Sequence, residues 1–241
     1  MRECWRNSLL KSAPTEDTNM HSSPIVWIDF ETGGVDPDKH AALEFAAYIP
    51  VSNQPRFMSS YIREPDLKVG PNENVTPGAL AVNQIPMDRI MTQGKGSWEV
   101  ASQFSHFLMA VNQEMGRPEG SSFTLGGHNI TFDYRYLLRL YRLAGHKLPK
   151  LEYRMVDTAS IMRFLVDAGM APEVVTLPDG TQVRMPKIDA AFHLFNIKAE
   201  VDGKPVVAHT ALGDAVATHD LYLAAVKLLA AKAPTLKPLF G

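Results

Sequence analysis

The stretch Ile25-Val26-Trp27-Ile28-Asp29-Phe30 constrains the fold of this chain more than any other. Five of its residues are β-branched or aromatic, as expected for a strand buried on both faces. Asp29 breaks the pattern, because desolvating an unpaired ionised carboxylate is costly. Glu31 follows at i+2, so on a strand both carboxylates project to one face and Phe30 to the other. Two hard oxygen donors at the end of a buried strand suit Mg²⁺ or Mn²⁺. An isolated Asp-x-Glu is nevertheless more often a strand-end cap beside a solvated Glu, so the triplet needs further support.

Turn chemistry at Gly33-Gly34 and Pro37 closes this strand. Leu43–Ile49 and Phe57–Ile62 read as neighbouring strands turning at Asn53-Gln54-Pro55, which makes a three-strand meander. A short helix is expected over Pro77–Val82. A longer one runs from Ser97 to about Met115, with Phe104, Phe107, Leu108 and Val111 on one stripe. Strand Ser122–Leu125, helix Phe132–Ala144, strand Arg154–Thr158 and helix Ala159–Ala168 follow in alternation. The last helix is the clearest, with Leu212, Ala215, Val216, His219, Leu223, Val226 and Ala230 at helical spacing. Strands first, then alternating elements, indicate an α/β fold with a mixed sheet covered by helices on both faces. Residues 174–183, with Pro178-Asp179-Gly180 at the turn, read as an inserted β-hairpin. Residues 1–23 are polar and aperiodic, a mobile leader before a domain at 24–241, and Met20 is an alternative start.

The formal net charge is −2, so nonspecific phosphate attraction draws no support from composition. Bound divalent cations would supply positive charge where a carboxylate-rich site needs it. Cys4 is the single cysteine, which excludes a disulfide framework and a cysteine zinc site within the chain. No apolar run approaches the ~20 residues of a membrane helix, and the first residues lack a signal-peptide core. The expectation is a cytoplasmic protein without a membrane partner.

Two further segments raise the weight of Asp29 and Glu31. His128-Asn129-Ile130-Thr131-Phe132-Asp133 leads from a strand into a helix and places Asp133 in its first turn. Alone, that Asp would be a solvated partner of the helix dipole. In Ala208-His209-Thr210-Ala211-Leu212-Gly213-Asp214, five residues turn a helix by roughly 500°, so His209 and Asp214 would not share a helical face. His209 then lies in the loop before the helix and Asp214 within its first turns.

Asp29-Phe30-Glu31-Thr32, His128-Asn129-x-x-Phe132-Asp133 and His209-x-x-x-x-Asp214 stand in the order of the three exonuclease motifs of the DEDD superfamily. The chain resembles its histidine subclass, the DnaQ-like and RNase T-like 3′→5′ exonucleases, over about residues 24–230. The resemblance implies an RNase H-like fold, a five-stranded mixed sheet flanked by helices. It also implies two-metal-ion hydrolysis of phosphodiester bonds at a 3′ end, releasing nucleoside 5′-monophosphates with two Mg²⁺ or Mn²⁺. Asp29 would bridge the metals, with Glu31 and Asp214 toward one and Asp133 toward the other through water. His209, with an ordinary pKa near ~6.5, would be the general base.

Thr32 and Gly33 are expected to offer backbone groups to the nucleotide. Val35 stands where related enzymes carry a Leu that packs on the terminal base. Asn129 is a helix cap or a substrate ligand, capping being favoured. Arg135, Arg139 and Arg142 form a stripe turned away from Asp133, a solvated face or remote strand contact rather than a phosphate clamp. The expected partner is a nucleic-acid 3′ end, DNA or RNA, with a single strand favoured. A polymerase partner or a homodimer stays open, as does the role of the hairpin. The alternative is a catalytically inactive RNase H-like module that binds nucleic acid or a polymerase.

Overall fold

The computed structural model describes residues 23–51, 54–201, 204–205 and 210–232. The run that begins at Ile25 forms strand β1 (Ile25–Thr32), the middle of a five-stranded sheet. β2 (Ala42–Ile49) pairs antiparallel with it, and β3 (Arg56–Tyr61) antiparallel with β2. On the other side β4 (Thr124–Gly127) and β5 (Val156–Asp157) add in parallel, giving the order β3-β2-β1-β4-β5. This is the α/β, RNase H-like mixed sheet that the motifs imply.

Period-two alternation along β1 separates two faces. Val26, Ile28 and Phe30 join Phe45, Ala47 and Ile49 in a core packed by α3 (Ser97–Glu114) and α4 (Ile130–Ala144). Trp27 turns to the opposite face, where it meets Tyr48 and the Ala215–Val216 turn of α7 (Ala211–Lys232). Asp29 and Glu31, in step with Trp27, therefore open on the α7 side. Gly126 of β4 has a packing reason: a Cβ there would lie 2.7 Å from the Trp27 ring.

The connecting segments show where local pattern was insufficient. α1 (Pro77–Asn83) forms as expected, capped by the Thr76 hydroxyl on the Ala79 N–H. α2 (Met87–Gln93) and α6 (Ile188–Leu194) were not expected; each has seven residues, too few for a helical period to stand out. β4 begins two residues later than expected and runs through two glycines, a conformation taken because Trp27 packs against it. β5 is short because Asp157 already caps α5 (Thr158–Asp167) by accepting from the Ala159 N–H. The hairpin forms as β6 (Val174–Thr176) and β7 (Gln182–Arg184). A second small pair, β8 (Glu200–Val201) with β9 (Lys204–Pro205), was not expected.

The arginine stripe on α4 is divided by its surroundings. Arg139 turns inward and forms a two-pronged ion pair with Glu64 at 3.0 and 2.6 Å, and Glu64 also accepts from the Ala42 N–H. It braces α4 against β2, the remote strand contact. Arg142 stays exposed and reaches Asp38 at 3.3 Å. The expected leader lies outside the described residues but for Ser23. Among the described residues no helix is long and apolar enough to cross a membrane.

Candidate active site

Where β1 leaves the sheet, its register with β2 shifts between Glu31 and Thr32. There the α7 face is no longer closed by apolar side chains. Asp214 stands in the first turn of α7, whose start is tightened by the Thr210 hydroxyl accepting the Gly213 N–H at 3.1 Å. Asp29, Glu31 and Asp214 each offer one carboxylate oxygen within 4.8 Å of the others, and all three are half-buried.

Asp133 approaches from α4 and is 3% exposed. Its Oδ1 accepts the Phe30 N–H at 2.9 Å. That amide lies beyond the stretch of β1 paired with β4, which ends at Trp27, so Asp133 completes the backbone bonding of β1. One oxygen is thereby committed to the fold. The strand-end cap is thus supplied by Asp133 rather than by Asp29.

Gathering like charges in a half-dry cleft raises their proton affinity. Burial, then Asp133, Asp214, Glu31 and Glu44, push the Asp29 carboxyl well above the usual carboxylate range. Burial first, then Asp214 and Glu44, push Glu31 up to about 7. Burial raises Asp133 as well, opposed by the Phe30 N–H bond. A cleft of about 570 Å³ opens over Asp29, Glu31 and Asp214 but not over the buried Asp133, and Lys187 is its one lysine or arginine among the described residues. Hard oxygen donors that converge and repel one another fit a divalent metal ion.

The remaining expected residues divide. Asn129 occupies the N-cap position of α4, yet its side chain makes no capping bond; its backbone is left-handed at φ 61° and the side chain is exposed on the cleft. The favoured capping role is therefore corrected, and the side chain faces the site. The Gly33 N–H donates to the Ala41 carbonyl, and its own carbonyl accepts from the Thr76 N–H and hydroxyl. A Cβ on Gly33 would lie 2.3 Å from the Asn74 oxygen, which accounts for glycine there without a nucleotide. The Thr32 hydroxyl donates to the Gly34 carbonyl, and the Thr32 carbonyl accepts from Asn83. Val35 is 79% exposed. His209 lies outside the described residues.

A model of the family described as Exonuclease, RNase T, matches residues 26–222. The chain belongs to this exonuclease family. E. coli exonuclease I in complex with a 5cy-dA13 oligonucleotide superposes with a TM-score of 0.60 at 18% identity, over 88% of this chain and 41% of that one. Exonuclease I of Methylocaldum szegediense gives 0.58 at 18% identity, again over 88% and 41%. The exonuclease-family chain thus spans about two-fifths of the length of these structures, and at this identity the likeness is one of fold.

Two residues of this exonuclease-family site were given no role from the sequence: His128, although it stands in the second motif, and Glu44. His128 hydrogen-bonds Thr158 through Nδ1 at 2.9 Å and also bonds the Pro186 backbone, so it ties α5 to the segment before α6. Burial lowers its pKa, keeping the ring neutral. Glu44 lies directly across from Glu31 in the β1–β2 register and is 5% exposed. Its carboxylate accepts from the Ser59 hydroxyl at 2.9 Å and from the Ala211 N–H at 3.3 Å, joining β2, β3 and the start of the helix that carries Asp214. A glutamine can serve both partners, accepting from Ala211 and donating to the Ser59 oxygen; alanine serves neither. Glu44→Gln is therefore expected to be more stable than Glu44→Ala by about 1–3 kcal/mol, read from denaturant midpoints of the two proteins.

Proposed function

We propose that this chain is a metal-dependent 3′→5′ exonuclease of the histidine subclass. It releases nucleoside 5′-monophosphates from the 3′ end of DNA or RNA, with a single strand favoured. The observation that carries the reading is the convergence of Asp29, Glu31 and Asp214 within 4.8 Å at the end of β1. Membership of the exonuclease family and a fold like that of exonuclease I, one structure of which holds a dT13 oligonucleotide, support it.

Asp29, Glu31 and Asp214 would hold one divalent cation, and Asp29 with Asp133, through water, a second. Bound there, two Mg²⁺ or Mn²⁺ neutralise charge on the phosphate and on the departing 3′ oxygen. The protein's own groups do the rest. Glu31 holds its proton up to about pH 7, so protons and cations compete for it. The Phe30 amide fixes Asp133, and Glu44 fixes the start of α7, so the carboxylates meet the substrate in one geometry. His209, five positions before Asp214 in the sequence, is assigned as the general base that accepts the proton of the attacking water. Asn129 is exposed at the cleft, and Val35, an exposed and shorter side chain than the Leu of related enzymes, is assigned to the terminal base by the motif resemblance alone.

Placement of a single phosphorothioate tests the polarity. In a 5′-labelled oligonucleotide with Mg²⁺, a phosphorothioate at the 3′-most linkage is expected to slow the first cleavage, and one at the 5′-most linkage to leave it unaffected. Slowing by the 5′-most substitution alone would reverse the assigned direction.

A further inference from the structure

The hairpin and α6 have no part in the chemistry above, yet they build a second cavity against the carboxylate cleft. This cavity, of about 540 Å³, shares Ile188 and Asp214 with the cleft. The two spaces are thus neighbours across a common wall, one side chain of which is the Asp214 carboxylate. The lining beyond is chiefly apolar, with Leu177 and Pro178 from the hairpin turn, Phe192 from α6, and Ile197 and Ala199 beyond it.

The hairpin that forms this wall is well anchored. Val175 and Met185 are buried in a cluster with Met162 and Leu165 of α5 and Leu221 and Ala225 of α7. Its turn is closed by the Gly180 N–H on the Leu177 carbonyl at 2.9 Å and the Leu177 N–H on the Thr181 carbonyl at 2.8 Å. Gly180, at φ 85°, takes the left-handed position that this turn requires. Leu177 and Pro178 are thereby held over the cavity.

At the junction stands Lys187, exposed and the single lysine or arginine of the acidic cleft among the described residues. Around the second cavity, among the described residues, Lys198 faces three carboxylates, Asp189, Glu200 and Asp214. The lining therefore offers no general attraction for polyanions; it offers apolar and aromatic surface, with one cation at its entrance.

We infer that this cavity is an upstream subsite for a single-stranded polynucleotide. Unpaired bases on the 5′ side of the scissile linkage lie on Phe192, Leu177 and Pro178, and the phosphate at the junction lies beside Lys187. A duplex keeps its base faces stacked on one another, whereas a single strand presents them to such a surface. The volume also suits a small apolar ligand rather than a helix some 20 Å wide, to order of magnitude. This subsite rests on the exonuclease reading, adds to it a dependence on substrate length, and names the residues behind its single-strand preference.

The test is the dependence of kcat/KM on substrate length, using 5′-labelled oligothymidylates from dinucleotide to hexanucleotide with Mn²⁺. The wild-type chain is expected to gain with each added nucleotide until the cavity is filled. In Phe192→Ala the ratio of hexanucleotide to dinucleotide kcat/KM is expected to fall about tenfold, the loss of one base contact. Because Phe192 also packs on the α5–α7 cluster, the exposed Lys187→Ala is measured beside it, with melting temperatures for both. Lys187→Ala is expected to reduce the slope of log affinity against log salt by about 0.7, the loss of one single-strand phosphate contact. Wild-type length and salt dependence in both variants would overturn the subsite while leaving the exonuclease reading intact. Failure of the wild-type chain to cleave any of these substrates would overturn that reading, and the subsite with it.

Discussion

Asp29→Asn is expected to abolish nuclease activity and, in the cation-free protein, to raise the melting temperature. The two effects have one cause. Asp29 is surrounded by Asp133, Asp214, Glu31 and Glu44, and burial and these charges together lift its carboxyl far from its ordinary range. Asparagine keeps the shape, removes the charge and can donate a hydrogen bond to a neighbouring carboxylate. It also removes the ligand shared by both proposed cations. The activity loss is expected to be on the order of 10³-fold or more, comparable to losing a main electrostatic element of a phosphoryl-transfer site. The stability gain is expected to be about 1 kcal/mol, or roughly 2–4 °C in a chain of this size. A protein that is less active and more stable marks a group kept for function. Equal loss of both would make Asp29 a structural residue.

Acidity provides the second large effect, and its sign follows from Glu31. This carboxyl titrates near 4.5 when unfolded and near 7 when folded. Between those values the folded chain holds a proton that the unfolded chain has released, so raising the pH favours unfolding. Its contribution is fully present below pH 4.5, declines by at most about 1.4 kcal/mol per pH unit, and is lost above about 7. Asp29, Asp133 and Glu44 are raised in the same direction and add to the trend. Asp36, Asp179 and Glu152 are lowered, and their opposite effect falls at more acid pH. The cation-free chain is therefore expected to melt at lower temperature at pH 7.5 than at pH 5. Mn²⁺ at a hundredfold excess over its dissociation constant is expected to add about 2.7 kcal/mol at pH 7.5 and much less at pH 5. Thermal melts at the two pH values, with EDTA or Mn²⁺, check both signs.

How far the site could be read in advance depended on whether its signals are local. Asp29 and Glu31 were legible because a strand's period of two is visible in six residues and a carboxylate in an apolar run is costly, although a strand-end cap competed until the other motifs were added. The helical pattern placed Asp214 and Asp133 in the first turns of α7 and α4, but their choice as site residues rested on motif order. Glu44 was not, because Leu43-Glu44-Phe45 looks like ordinary alternation with one polar face in water. Its burial arises only when α7, more than 160 residues later, covers that face and presents the Ala211 N–H. α2 and α6 were missed for want of length, and α6 forms one wall of the second cavity. At Asn129 the residue type indicated a cap, but the left-handed backbone leaves its side chain on the cleft without a capping bond. His209 was reached through motif order, and its place relative to the carboxylates lies outside the described residues.

The function proposed for these carboxylates is hydrolysis at a 3′ end, and one assay addresses it directly. A 5′-labelled single-stranded 12-mer is incubated with the chain and Mn²⁺, and both the labelled strand and the released nucleotide are identified by mass. The account predicts a ladder shortened by one residue at a time from the 3′ end, with nucleoside 5′-monophosphate as the product, and no ladder in EDTA or with Asp29→Asn. Release of the labelled 5′ nucleotide as the first product, or a ladder that persists in EDTA, would contradict it.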